Sequence, residues 1–307
     1  MKRIIIILAV VLAGSFTAMA QQQPVTDLYI FEGLTINPAF AGSQVQFSTT
    51  AIHRNQWVNF PGAPVTDMLC THTSFFKSRF GAGLMFTNDR IGIHNDLGLY
   101  GSFAYRIITK DLVFSMGLQA GFNNIRTDFN KLNLKDQADL LLNGLVQAWN
   151  PNFGVGFYLN NDNSFIGLSI PYLINSSALE VEGVLSEARR YRYYYLYGGT
   201  TLLKSNRNFQ IKPSGLLRFQ EGAPITFDVT LSMVFYQTVK FGTNYRLNDH
   251  ISMIFELELL EQLHLGYAYE YTLSDIAQYS QGTHEIMLNF RFKSERIHGG
   301  LKCPAYW

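Results

Sequence analysis

Residues Ile225–Phe235 read ITFDVTLSMVF, and this stretch decides the fold. Ile225, Phe227, Val229, Leu231, Met233 and Phe235 fall on one side of an extended chain, and Thr226, Asp228, Thr230, Ser232 and Val234 fall on the other. Alternation with period two is the mark of a strand with one apolar face. The pattern recurs on both sides of it. Ile251, Met253, Phe255, Leu257 and Leu259 oppose Ser252, Ile254, Glu256 and Glu258. Leu265, Tyr267, Tyr269 and Tyr271 oppose His264, Gly266, Ala268 and Glu270. Ile286, Leu288, Phe290 and Phe292 oppose Glu285, Met287, Asn289 and Arg291. Toward the N-terminus, Leu112 to Phe122 sets Ser115, Gly117, Gln119 and Gly121 on a small, polar side.

A soluble β-sandwich also alternates. These segments, however, run to about 9–12 residues, the length of tilted membrane strands, where five or six is usual. Their polar faces carry Gly, Ser, Asn and Glu, as a barrel lumen does, rather than a lysine-rich soluble surface. Fourteen strands are expected, at 46–54, 67–76, 80–88, 95–107, 112–124, 152–159, 164–170, 191–202, 209–220, 225–235, 239–245, 251–259, 264–272 and 284–292. Connections after even-numbered strands are short, such as Lys77–Arg79 and Tyr236–Thr238. Those after odd-numbered strands include the long Asn55–Thr66, Ile125–Pro151, Pro171–Arg190 and Leu273–Thr283. Short turns at one end, long loops at the other and an even strand count describe an outer-membrane-type antiparallel β-barrel. Both termini are then expected on the short-turn side, the periplasm.

Composition narrows the function classes. The 307 residues hold 24 Lys+Arg against 23 Asp+Glu, a net charge of +1, with no concentrated basic surface for nucleic acid. Charged residues make up 15%, against about 25% in soluble domains. At 47% apolar the chain is not a disordered one. Two cysteines, Cys70 and Cys303, exclude a disulfide scaffold or CxxC-type zinc site, and two free thiols are expected.

Lys2 and Arg3 precede the apolar run Ile4–Leu12, and Ala18-Met19-Ala20 supplies a small-residue cleavage site. This is a secretory signal peptide pattern, so the mature chain is expected to be exported. The expected organisation is a signal peptide at 1–20, a periplasmic or plug-like segment at 21–45, the barrel at 46–292 and a periplasmic tail at 293–307.

No catalytic motif stands out. GxSxG, HExxH, a phosphate loop and metal-spaced His/Cys clusters are all missing from the sequence, and the seven histidines are scattered. No enzyme activity, cofactor or metal is expected. Asn161-Asp162-Asn163-Ser164 reads as a polar hairpin turn rather than a calcium loop. Arg189-Arg190-Tyr191-Arg192-Tyr193-Tyr194-Tyr195 reads as an interfacial aromatic girdle with arginines reaching lipid headgroups. Arg54, at the top of the first strand, is expected to reach a lumen carboxylate, Glu285 first and Glu270 second.

Several motifs recur in a fixed order. Asn37-Pro38-Ala39-Phe40-Ala41-Gly42-Ser43 is followed by Arg54-Asn55-Gln56-Trp57 and Pro61-Gly62-Ala63-Pro64. Ala104-Tyr105-Arg106-Ile107, Ile166-Gly167-Leu168-Ser169 and Gly266-Tyr267-Ala268-Tyr269-Glu270-Tyr271 come next. Gly282-Thr283-His284-Glu285-Ile286-Met287-Leu288 follows, and the tail holds Lys302-Cys303-Pro304. This order resembles the PorP/SprF family of outer-membrane proteins of the type IX secretion system in Bacteroidetes, over essentially the whole mature chain. Glu270 stands where the family pattern leads one to expect Asp.

The resemblance implies an outer-membrane barrel serving protein secretion and gliding motility. Its implied partners are a secreted adhesin or its C-terminal domain, periplasmic ring and peptidoglycan-binding components, and outer-membrane lipid. The motif residues it points to are Asn37, Pro38, Gly42, Arg54, Gln56, Trp57, Glu270, His284, Glu285, Cys303 and Pro304. The alternative kept open is a porin or FadL-like transporter of small or hydrophobic solutes.

Overall fold

The computed structural model describes residues 25–44, 47–131, 144–177, 180–181, 184–185, 189–190, 192–203, 208–221 and 223–292. Fourteen antiparallel strands close into a barrel. They are β1 (Phe47–Asn55), β2 (Val65–Phe75), β3 (Phe80–Ile91), β4 (His94–Ile108), β5 (Val113–Asp128), β6 (Leu145–Asn160) and β7 (Ser164–Ile170). Then come β8 (Tyr193–Thr200), β9 (Phe209–Gln220), β10 (Thr226–Phe235), β11 (Val239–Arg246), β12 (His250–Leu260), β13 (Leu263–Thr272) and β14 (Thr283–Phe292). Every neighbour in sequence is a neighbour in space, and β1 pairs with β14 to close the seam, Arg54 opposite Glu285. Full closure leaves no barrel edge for another chain to extend. Among the described residues no helix is long and apolar enough to cross a membrane.

The alternation maps onto the two faces of the wall. Phe227, Val229 and Leu231 point outward, while Asp228 and Thr230 are fully buried in the lumen. Outside, exposed Leu84, Leu118 and Ile286 make an apolar band. Aromatic side chains border it, with Phe75, Phe76 and Phe80 clustered at the short-turn end. Trp149 packs on Phe122 at the other end.

All fourteen expected strands are present, with shifted ends. β6 begins at Leu145 rather than near residue 152, and β5 runs on to Asp128. The expected Ile125–Pro151 loop therefore shrinks, because Asn123 to Asp128 pair with Leu145 to Asn150. Pro151 interrupts the sequence pattern there, yet it sits within β6 opposite Phe122. The aromatic run is corrected too. Among the described tyrosines of the run, Tyr193 and Tyr195 are buried on the lumen face and Tyr194 turns outward, against Phe219. The period-two rule requires this split, which the girdle reading overlooked. Arg189 and Arg190 pair with Ser177 and Ser176 in a short ladder of the β7–β8 loop. The Asn161 turn forms as expected, its Oδ1 accepting from Asn163 N and Ser164 N.

Residues 25–44 lie inside the barrel as three short 3-10 turns, Asp27–Ile30, Gly33–Thr35 and Pro38–Phe40. All are buried except Thr35. Val25 borders a cavity with Thr66, Asp89, Asp96 and Tyr172 at the long-loop end. At the other extreme Arg106 of β4 donates to the Ala41 carbonyl near the short turns. The segment thus descends the lumen before β1 climbs back. Val25 and Phe292 lie at opposite ends of the barrel, and the expectation that both termini leave on the short-turn side falls on residues outside those described. The expected signal peptide and the tail, with Cys303 and Pro304, lie outside the described residues. Cys70 is fully buried on the lumen side of β2 and is bridged to no cysteine among the described residues.

Candidate functional site

The site is the contact between the lumen segment and the wall, and it has three tiers. The upper tier, toward the long loops, is ionic. Glu285 of β14 accepts backbone N–H bonds from Asp27 (3.1 Å) and Leu28 (3.2 Å), capping the orphan amides of the first turn. The Arg54 guanidinium holds Glu285 at 2.8 Å through Nε and Glu270 at 2.8 Å through Nη2. Its Nη1 donates to Gln56 Oε1 at 3.0 Å. Both carboxylates named as partners for Arg54 are therefore engaged at once. The sequence pointed to this cluster because Glu270 and Glu285 fall on the faces opposite the apolar residues and Arg54 ends the strand that must pair with the last one. The weak alternation of the first strand left the facing of Arg54 open, and the structure turns it into the lumen.

Asp27 extends the network. Its Oδ1 accepts from Asn244 (3.1 Å) and Arg246 (3.2 Å), and its Oδ2 lies 3.0 Å from His250 Nε2. Arg246 also binds Asp228 through Nε and Nη2, at 2.9 and 3.0 Å, and Arg218 reaches the same carboxylate at 3.2 Å. Buried charges persist only when paired and hydrogen-bonded, and here each carboxylate has at least two donors. Burial pushes the Asp27 carboxyl up, but His250 and Arg246 outweigh it and hold the carboxyl well below the usual range.

Asp249, in the turn between β11 and β12, behaves alike. Burial raises its carboxyl, yet the His250 hydrogen bond and the Arg246 charge bring it from 3.8 to about 2. A depressed carboxylate pKa stabilises the folded state above the ordinary value, and that contribution is lost as pH falls through the folded value. The contribution of Asp249 to barrel stability is accordingly expected to be complete above about pH 4 and lost toward about pH 2. Replacing Asp249 with Asn and comparing urea unfolding in micelles at about pH 6 and about pH 2 checks it: the difference between the two proteins is expected at the higher pH and not at the lower.

The middle tier centres on Glu32. Its Oε1 accepts from Leu34 N (3.2 Å), and its Oε2 from Thr50 Oγ1 at 2.5 Å. His72 Nδ1 accepts from Gly42 N at 3.1 Å, so in the neutral ring the proton sits on Nε2, which faces Glu32 Oε1 at 3.5 Å. One β2 side chain thus links two turns of the lumen segment.

The lower tier explains the Asn37-to-Ser43 motif. Asn37 Oδ1 accepts from Ala39 N at 2.9 Å, an N-cap with Pro38 at the first position of the turn. Its Nδ2 donates to the Phe157 carbonyl and to Tyr197 Oη, at 2.9 and 3.2 Å. Gly42 takes φ +63°, a region that favours glycine, and so aims its N–H at His72. The wall makes room with its own glycines. A Cβ on Gly156 would stand 2.0 Å from Asn37 Oδ1, and one on Gly117 would stand 2.2 Å from Ala39 N.

Asn37→Ala would remove the cap and leave a buried carbonyl and phenol without their donor. A loss of about 1–3 kcal/mol is expected. Urea unfolding of the barrel in detergent micelles is the measurement.

The other sequence-predicted residues scatter. Trp57 lies in the β1–β2 loop, its N–H donating to Thr283 Oγ1 at 3.2 Å, across the seam from the cluster. His284 is on the outer face, with Nδ1 2.7 Å from Tyr267 Oη, and takes no part in the lumen site. Sequence reading missed Asp27, Asp228, Arg246 and His250 as one network, and Glu32 with His72 as a second contact. The signal present was charge on lumen faces, as with Asp228 in the opening stretch. Asp27, His250 and Glu270 also stand close enough to hold a cation. Guanidinium groups of Arg246 and Arg54 already fill that role.

Solved structures share the architecture. The Ralstonia pickettii toluene transporter TbuX matches with TM-score 0.51 at 12% identity, covering 91% of this chain and 96% of that one. The Acinetobacter baumannii outer membrane protein Omp33 matches with TM-score 0.48 at 9% identity, covering 82% and 100%. At such identities the likeness is one of fold. No curated protein matches the chain. The sequence pattern of the family described as "Type IX secretion system membrane protein PorP/SprF" matches residues 18–290. With that span covering the lumen segment and nearly every strand, the chain belongs to the PorP/SprF family of type IX secretion system membrane proteins.

Proposed function

We propose that this chain is a closed, non-catalytic outer-membrane barrel of the type IX secretion and gliding machinery that works by binding other proteins. Its partners in this reading are an exported adhesin or that adhesin's C-terminal domain, together with periplasmic ring or peptidoglycan-binding components. The observation that supports it best is the lumen segment. Twenty residues of the chain's own N-terminal region occupy the barrel, tied to the wall at three depths. A porin needs a hydrated path, and the same space here holds Leu28, Leu34, Ile36 and Phe40, all nearly inaccessible. A FadL-like transporter would have to displace a segment anchored by ion pairs from β11 and β12 and by hydrogen bonds to the β14 carboxylate of Glu285.

Two measurements test this. In planar bilayers the purified barrel is expected to show no steady conductance, and a variant lacking residues 25–44 is expected to conduct. Affinity purification from native membranes is expected to bring down a secreted protein and a periplasmic component. Stable open-channel conductance of the unaltered protein would reverse the assignment in favour of solute transport.

A further inference from the structure

The lumen segment crosses the barrel obliquely. Its upper turn leans on β12–β14, and its lower turn leans on β4–β6. Below the upper turn, the β9–β14 side at the short-turn mouth is left open as a cavity of about 230 Å³. Gln210, Lys212, Lys240, Glu258, His264 and Arg291 line it, and Gln237 in the β10–β11 turn stands at its entrance.

From this geometry we infer that the cavity is a binding pocket for one side-chain carboxylate, presented by an acidic extended peptide that enters from the short-turn side.

Three basic side chains, Lys212, Lys240 and Arg291, and two carboxylates, Glu256 and Glu258, surround the pocket. Glu256 is already engaged, 2.8 Å from Lys240 Nζ and 3.1 Å from His264 Nδ1. Lys240 is further fixed against the Phe31 ring of the lumen segment, 5.4 Å from its centroid. Arg291 is 8% exposed, and its Nε donates to Asn289. Its Nη2 is buried and has no hydrogen-bond partner among the described residues.

A buried guanidinium nitrogen without an acceptor is costly, and a carboxylate oxygen is the acceptor that matches its planar donors. One unpartnered guanidinium nitrogen suits a single carboxylate better than a phosphate dianion, which calls for more donors. A cavity of this size admits a side chain and not a folded domain. The pocket deepens the partner-binding reading given above by naming the chemistry of one partner segment. It is tested on the isolated barrel, so its failure is distinguishable from a failure of the secretion assignment.

The test uses the full barrel in lipid nanodiscs, a short fluorescein-labelled oligoglutamate and its oligoglutamine counterpart, with fluorescence polarisation as readout. Oligoglutamate is expected to bind with an affinity that falls as salt rises, and oligoglutamine is expected not to bind. Arg291→Gln is expected to weaken binding roughly tenfold or more, since it removes a buried charge partner. Gln210→Glu places a competing carboxylate in the pocket without touching Arg291 and is expected to have a comparable effect. Arg79→Gln, on the exposed β2–β3 turn, is expected to change nothing. Each variant is checked for folding by its heat-modifiable migration on gels. Binding by R291Q and Q210E as tight as by the unaltered barrel would overturn the proposal, as would a loss in R79Q equal to theirs, which would mark a diffuse basic surface. Stronger competition by inorganic phosphate than by free glutamate would overturn the assignment to a carboxylate.

Discussion

Glu285→Ala is expected to destabilise the folded barrel by about 3–5 kcal/mol, the range for breaking a buried ion pair by removing one partner. Three groups lose their acceptor together. Arg54 keeps only Glu270 and Gln56, while the backbone N–H groups of Asp27 and Leu28 are left inside a wall where Glu285 has no exposed surface. The damage falls on the β1–β14 seam, because Arg54 and Glu285 are cross-strand partners there. Urea unfolding in micelles measures the loss. Glu285→Gln keeps the shape and one acceptor oxygen, so it is expected to lie between the two. A Glu285→Ala variant within about 1 kcal/mol of the unaltered protein would place the carboxylate among ordinary surface pairs.

Gly117→Val is expected to expel the lower turn of the lumen segment. A Cβ at this position would lie 2.2 Å from Ala39 N and 2.4 Å from Ala39 Cα, both backbone atoms that cannot rotate away. Ordinary carbon contacts need about 3.5–4.0 Å. Overpacking of this kind costs about 1–3 kcal/mol when the core absorbs it. Here withdrawal of the turn is the easier response, because valine itself suits a strand. The expected result is bilayer conductance from a barrel that still closes. Gly101→Val, on neighbouring β4, is the control, since its Cβ would meet nothing nearer than 3.8 Å. Conductance from both variants, or from neither, would contradict the steric account.

The wall was legible in the sequence because its physics is local. A strand between lipid and lumen must alternate, and Ile225–Phe235 shows which residues face which way without reference to any partner. The even strand count and the uneven loops followed from the same reading. The path of residues 25–44 was not legible, because 3-10 turns carry no sustained period and their partners lie far along the chain. Asp27 looks like an ordinary acidic residue until Arg246 and His250 are brought to it by the closing sheet. The Arg54 cluster was accessible because strand register alone carried Arg54, Glu270 and Glu285 toward one end of the wall. Tyr193 and Tyr195 were misjudged because composition was allowed to outrank alternation.

The bond from Glu285 to the amides of Asp27 and Leu28 joins residues 258 and 257 positions apart. It sets an order of assembly. Residues 25–44 come first in the described chain and end up enclosed, yet Glu285, the group that fastens them, arrives only with β14, which pairs with β1 to close the sheet. Contacts this distant in sequence form late and slow the search for the native state. The strand that completes the wall is also the one that fastens the contents, so an unfinished chain has neither. Maturation is then all-or-none: a barrel stalled before its final strand exposes an unpaired edge on each side and keeps its N-terminal segment unsecured, a form that periplasmic proteases and chaperones can tell from the finished product.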